Sequence, residues 1–226
     1  MKHFKLGFLS ILPLISGIIA FGAVMGSAFA NAGLTFWQSL LMNTVVYAGA
    51  SQLATVDLMR MNAGLLVVVT TGLIINLRFL LYSAAMSPYL KAASPVVKFL
   101  CAYSLTDQSY AAMSANDHRI SSNSEATQFY LGTAACMALV WQGSVIAGYV
   151  FGNFAPPELA LDYAVPLSFV ALVIPTLKST RHKAVALFSS VMSLLLFEFP
   201  LKTGLIFTAL LSIALAWLLI RKTKYD

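Results

Sequence analysis

Long apolar runs separated by short polar stretches dominate the chain. Dividing the sequence at polar positions and at Pro- and Gly-rich points leaves eight apolar segments, near residues 6–30, 36–59, 63–86, 95–115, 126–152, 161–177, 184–198 and 203–220. A helix of about 20 apolar residues crosses the hydrocarbon core of a bilayer, which is ~30 Å thick. The pattern therefore predicts an all-α polytopic membrane protein with about eight transmembrane helices.

The composition excludes an ordinary soluble domain. Of 226 residues, 59% are hydrophobic and 10% are charged, whereas soluble domains are about 45–50% apolar and about 25% charged. Eight spans joined by short loops use almost the whole length. We therefore expect a single transmembrane domain over residues 1–226, with the lipid bilayer around it.

The basic residues indicate topology and not nucleic-acid binding. The net charge is +6, but Lys and Arg lie in short loops, and such residues are retained in cytoplasmic loops. With both termini cytoplasmic, eight crossings leave only Lys91, Lys98 and Lys202 outside. Segment 95–115 is polar enough to be a surface helix instead. That alternative would move the basic cluster at 178–183 outside, against the rule.

Two charged residues lie inside predicted spans. An ionised side chain at the bilayer centre costs about 2.5–3.5 kcal/mol and usually faces a partner or a water-filled cavity. Arg78 lies ~12 Å from the outer end of its segment and Asp107 ~18 Å from the same side, so a long arginine side chain can bridge them. The pair is therefore either a structural ion pair or a site for substrate or a coupling proton.

A run of small residues interrupts the second segment. Unwound backbone is tolerated at membrane depth only where protein or a cavity receives it. A half-helix starting near Ser51 would point its N–H groups, the Ser51 hydroxyl and the Gln52 amide at an anion. The alternative is close helix packing, which we also predict for Gly22 and Gly26.

The two halves of the chain suggest an inverted repeat with broken helices. Pro13-Leu14 opens the first segment and Pro166-Leu167 opens the sixth, and helix breakers follow each, at 48–52 and at Phe199-Pro200. In the eight-span arrangement these two segments run in opposite directions, as in many secondary transporters.

Enzyme chemistry finds no support in the sequence. The chain has no HExxH, GxSxG or P-loop motif, and such motifs carry metalloprotease, hydrolase and nucleotide chemistry. Cys101 and Cys136 form no cluster with each other or with His. We therefore expect no catalytic residues, no metal, no cofactor and no enzymatic activity.

Several ordered motifs resemble the AzlC-type family, the large subunit of branched-chain amino acid exporters. They are Pro13…Gly17…Phe21-Gly22, Tyr47-Ala48-Gly49-Ala50-Ser51-Gln52-Leu53, Asn76-Leu77-Arg78…Leu81-Tyr82 and Leu105-Thr106-Asp107, and the stretch 161–166 with Val173-Ile174-Pro175 is also similar. The chain departs from the family at Phe79, where the family usually has His, and at Gln108, where it usually has Glu.

The resemblance implies export of valine, leucine, isoleucine or methionine across the bacterial inner membrane, together with a small AzlD-type membrane subunit. Some members of the family carry an ABC-permease label. Because the sequence predicts no long cytoplasmic loop to which an ATPase subunit could bind, we favour secondary transport. The alternatives are a non-transporting structural subunit and a transporter of another small solute.

These inferences predict a substrate site. The substrate carboxylate meets the half-helix start at Gly49, Ala50, Ser51 and Gln52, with Asn76 and Arg78 beside it. The ammonium group meets Asp107 or unwound carbonyls near Gly49, and Phe21 and Tyr47 line the side-chain pocket. Asp107 is also the predicted proton carrier, because its charge is costly when no cation is present.

Overall fold

The computed structural model describes residues 2–151, 170, 173–174, 177, 179–199 and 203–222. Within these ranges every regular element is a helix, which confirms the predicted all-α membrane protein. The sixth predicted segment, 161–177, lies mostly outside the described residues. The eight crossings and the inverted repeat therefore stay predictions.

The helices follow the apolar segments in chain order. Short 3-10 turns lie at Leu12–Leu14, Ser87–Leu90 and Asp117–Arg119. The α-helices are α1 (Lys2–Ser10), α2 (Ile15–Asn31), α3 (Phe36–Val46), α4 (Gly49–Arg60), α5 (Leu65–Asn76), α6 (Arg78–Met86), α7 (Pro95–Tyr103), α8 (Asp107–Asn116), α9 (Asn123–Phe151), α10 (Thr180–Leu195) and α11 (Gly204–Lys222).

Three helical stretches of the described residues are long and apolar enough to cross a membrane. They are Lys2–Asn31, Leu65–Leu90 and Asn123–Phe151, and Phe207–Ile220 is a shorter apolar helix. The first stretch tightens into a 3-10 turn at Pro13, where the ring removes a backbone donor. The second is interrupted at Leu77, between α5 and α6, which the sequence did not predict.

Helix α9 is the central element, and it packs along both α1 and α2. Glycines make this contact close: a Cβ on Gly26 would collide with the Val145 carbonyl, and a Cβ on Gly148 would collide with the Ala23 carbonyl. Gly22 is also buried against Ser144. The predicted packing role of Gly22 and Gly26 is therefore confirmed.

The second and fourth predicted segments are each split into two half-helices. The predicted break at 48–52 lies slightly earlier, at Tyr47 and Ala48, so that α4 already begins at Gly49. The fourth segment, predicted as one helix, ends at Tyr103 and resumes at Asp107, so that prediction was wrong. The physical reason is a capping box, in which Thr106 caps the start of α8.

Enlarging Gly26 is expected to destabilise the fold. Gly26→Val would push α2 away from α9, and overpacking of this kind costs about 1–3 kcal/mol. Gly143→Val is the matched control, because a Cβ at Gly143 meets nothing within 4 Å. Thermal unfolding of the detergent-purified protein measures the effect. Equal melting temperatures for the two variants would contradict close packing at Gly26.

Candidate functional site

The break between α3 and α4 has an unusual backbone. Tyr47 adopts a left-handed conformation with φ 43°, and Ala48 has φ −145° and ψ 85°. A left-handed conformation costs an L-residue roughly 1–2 kcal/mol. The Tyr47 ring stacks on the Tyr103 ring at 5.4 Å between centroids. This contact ties the break in the second segment to the end of α7, beside the break in the fourth.

Three side chains donate hydrogen bonds to backbone carbonyl groups around the break. Unpaired carbonyls at membrane depth are costly, so each such bond stabilises the unwound backbone. The Gln52 amide donates to the Met42 carbonyl at 3.1 Å, the Ser51 hydroxyl donates to the Ala48 carbonyl at 2.9 Å, and the Tyr103 hydroxyl donates to the Thr44 carbonyl. The fold therefore stabilises the break through specific side-chain hydrogen bonds.

A buried amide network fixes the break to the central helix. The Trp141 indole N–H donates to Asn43 Oδ1 at 2.9 Å, and Gln52 Nε2 lies 3.3 Å from the same oxygen. Asn43 Nδ2 donates to Gln142 Oε1 at 2.6 Å. Because Asn43 and Gln52 are fully buried, the network holds α3, α4 and α9 in one arrangement.

Arg78 and Asp107 form an ion pair at the two other helix breaks. Arg78 begins α6 and Asp107 begins α8, and Arg78 Nη1 lies 3.0 Å from Asp107 Oδ2. The Tyr82 hydroxyl donates to Asp107 Oδ1 at 2.8 Å. The N-terminus of α8 also favours the negative charge in its first turn. The sequence-based expectation that the two charges lie within reach is confirmed.

The ion pair and the break between α3 and α4 line one cleft. Its free volume is about 30 Å³, which is room for about two water molecules. It is lined by Phe21, Tyr47, Ala48, Gly49, Ala50, Arg78, Phe79, Thr106, Asp107, Gln108, Met137 and Trp141. The lining combines two opposite charges and the starts of three helices, α4, α6 and α8, with aromatic and apolar side chains. This combination of groups matches the chemistry of a small amphipathic ligand, which must widen the cleft in order to enter it.

Most of the predicted site residues line this cleft, but three do not. Ser51 and Gln52 are buried and hydrogen-bonded within the break. Asn76 ends α5 just before Arg78, and its Oδ1 has no hydrogen-bond partner among the described residues. None of the three lines the cleft, and Ser51 and Gln52 instead stabilise the break beside it.

Sequence reasoning missed the wall that α9 contributes. Met137 and Trp141 are 3% and 5% exposed and both line the cleft. The signal was the adjacent Trp141-Gln142 pair in the middle of an apolar segment, where polar side chains need partners. Thr106 was a second signal, because threonine is a typical N-cap residue and here it caps the start of α8.

Comparison with known proteins places the chain in a family. The sequence model of the AzlC protein matches residues 13–155, more than half of the chain. The chain belongs to the AzlC family. All the cleft-lining residues named above fall within the matched range, so the cleft is part of the AzlC-like region.

Two relatives have similar sequences along most of their length. An "Uncharacterized membrane protein" of Archaeoglobus fulgidus is 26% identical over 185 residues, which cover 80% of this chain and 79% of the relative. The "Inner membrane protein YgaZ" of Escherichia coli K12 is 27% identical over 201 residues, covering 84% of this chain and 80% of the relative. No solved structure matches. The names of both relatives support a membrane location for this AzlC-family protein.

Removing one member of the ion pair is expected to destabilise the protein more than removing both. A fully buried pair that loses one partner costs about 3–5 kcal/mol, and the effect here is smaller because the Arg78 side chain is 25% exposed. We expect Arg78→Leu and Asp107→Leu to lower the melting temperature, and the double variant to recover part of the loss. A double variant less stable than either single variant would contradict the pairing.

Proposed function

We propose that this AzlC-family protein exports hydrophobic amino acids across the bacterial inner membrane. Transport is secondary and coupled to protons, and the working unit includes a small AzlD-type membrane subunit. Both termini face the cytoplasm. The observation that carries the proposal is the cleft, which joins a pair of opposite charges to an apolar wall.

Each part of an amino acid is assigned to cleft residues of matching chemistry. The carboxylate is assigned to Arg78 and to the N–H groups at the start of α4, which lack acceptors within the helix. The ammonium group is assigned to Asp107. The apolar side chain is assigned to the wall, made of Phe21, Tyr47, Met137 and Trp141. In this assignment Ser51 and Gln52 hold the break open instead of touching the ligand.

The broken helices favour a transporter over a purely structural subunit. Unwound backbone in a membrane is tolerated where it lines a cavity, and transporters place their binding sites at such discontinuous helices. Here the starts of α4 and α8 both line the cleft. A structural subunit would need the charged pair only to hold helices together. It would keep its function when Arg78 and Asp107 are both replaced by apolar residues.

Proton coupling is assigned to Asp107. When an ammonium group leaves Asp107 while Arg78 is still bound to the substrate carboxylate, Asp107 has no cation, which is costly inside a membrane, and a proton takes that place until Arg78 returns. The substrate and the proton then compete for one carboxylate, as an exchange mechanism requires.

Another small solute remains the second candidate substrate, because the cleft itself departs from the family pattern. Phe79 and Gln108 replace the family's usual His and Glu, and both line the cleft. Each stands directly beside one of the charged residues in the sequence. The substrate therefore needs a direct test.

The primary test is amino acid accumulation in a deletion strain fed with dipeptides. Restoring this chain together with the small subunit is expected to lower the intracellular pool of valine, leucine, isoleucine or methionine. Restoring the chain alone shows whether the subunit is required. Unchanged pools in both arms would exclude amino acid export and leave the other solute or the structural subunit.

Replacing Asp107 is expected to abolish coupling. Asp107→Asn removes the ionisable group but keeps its size, so export should fall at least tenfold and the remaining transport should lose its dependence on the pH gradient. The matched control is Asp57→Asn, because Asp57 is exposed on α4 and does not line the cleft. Transport with an unaltered pH profile in Asp107→Asn would remove Asp107 from the coupling mechanism.

A further inference from the structure

We infer that the Arg78–Asp107 ion pair is an internal substitute for a zwitterionic ligand. The ligand's carboxylate replaces Asp107 on Arg78, and its ammonium group replaces Arg78 on Asp107. The cleft therefore selects ligands that carry one positive and one negative charge and rejects ligands that carry only one of them. This inference rests on the proposed function and assigns the selection by charge to a single pair of residues.

Both oxygens of the Asp107 carboxylate are already occupied. Oδ2 lies 3.0 Å from Arg78 Nη1, and Oδ1 accepts a hydrogen bond from the Tyr82 hydroxyl at 2.8 Å. The Tyr82 ring is itself held by stacking on Tyr110, with 4.6 Å between centroids. A carboxylate has about four lone-pair sites, so the displaced partner is set by charge: an arriving ammonium group carries the same charge as Arg78 and replaces Arg78, not Tyr82.

Arg78 has the capacity to receive a carboxylate when it leaves Asp107. A guanidinium group carries five N–H donors in a planar fork that matches a carboxylate. The pair engages Nη1, and Nε is buried with no hydrogen-bond partner among the described residues. The guanidinium carbon lies 5.2 Å from the centroid of the Phe79 ring. This cation–π contact keeps the guanidinium at the cleft wall while its partner changes.

The charges in the cleft balance only for a zwitterion. Among the lining residues that the structure describes, Arg78 and Asp107 are the charged ones. A lone amine would pair with Asp107 and leave Arg78 without a counter-charge, and a lone carboxylate would leave Asp107 unpaired. Unpaired charges are costly at membrane depth. A zwitterion leaves every charge paired, both before and after it binds.

Three probes with the same branched apolar side chain test this selection. They are L-leucine, 3-methylbutylamine, which lacks the carboxylate, and 4-methylpentanoate, which lacks the ammonium group. Their binding to the purified full-length chain, with its small subunit if the accumulation test requires one, is measured by titration calorimetry at pH 8. We expect the wild-type protein to bind leucine at least tenfold more tightly than either of the other two.

Two variants are each expected to prefer a ligand of a different class from the one that the wild-type protein prefers. Arg78→Gln frees Asp107 and should improve binding of 3-methylbutylamine at least tenfold while weakening leucine binding. Asp107→Asn frees Arg78 and should do the same for 4-methylpentanoate. Asp57→Asn serves as the control and should keep the wild-type order. A gain of binding cannot result from misfolding, so the exchange distinguishes ligand recognition from a structural role.

The outcomes separate this inference from the proposed function. If the wild-type protein binds neither leucine nor valine, isoleucine or methionine, the proposed function fails. If it binds leucine but also binds the amine or the acid equally well, the inference is overturned and the function stands. The inference is also overturned, and the function stands, if both variants fold and neither binds its new ligand more tightly than the wild-type protein does. Should a variant not fold, the wild-type series with three probes still decides.

Discussion

A backbone that unwinds inside a membrane must find partners for its free N–H and C=O groups, and this constraint organises the whole site. At the break between α3 and α4, the side chains of Ser51, Gln52 and Tyr103 donate to nearby backbone carbonyls. The buried amide of Asn43 then connects the break to Trp141 on α9. Because the scaffold satisfies these groups, the start of α4 is left to face the cleft.

The same constraint bears on where the two charged residues of the cleft lie. Arg78 and Asp107 each begin a helix directly after an interruption, so both side chains lie where the regular helix surface is broken. Asp107 gains from the N-terminal dipole of α8, whereas Arg78, at the start of α6, does not. Arg78 depends instead on Asp107 and on the Phe79 ring. The two charges are therefore unequal: the carboxylate is firmly held, and the guanidinium is the member that can exchange partners.

Hydrophobic run length was enough to predict an all-α membrane protein, and membrane energetics were enough to single out Arg78 and Asp107. A charge in an apolar segment is conspicuous, and its depth follows from counting residues. The break near Gly49 was visible as a run of small residues. The interruption at 104–106 was not predicted, because its cause is a local capping box at Thr106 and Ser109 inside a segment whose length suggested one helix. The contribution of Met137 and Trp141 depends on how α9 crosses α2, which no local pattern specifies.

The geometry of the cleft gives a physical role to the two departures from the family pattern. Phe79 follows Arg78 and Gln108 follows Asp107, and all four residues line the cleft. The resemblance implies a titratable imidazole and a second carboxylate at these two positions, which would give the cleft several charge states. This chain has a ring that holds the guanidinium and a neutral amide instead. With a single positive and a single negative charge on the described lining, the proposed selection depends on how well a ligand replaces that one pair, and the apolar wall of α9 is assigned the discrimination by side-chain shape.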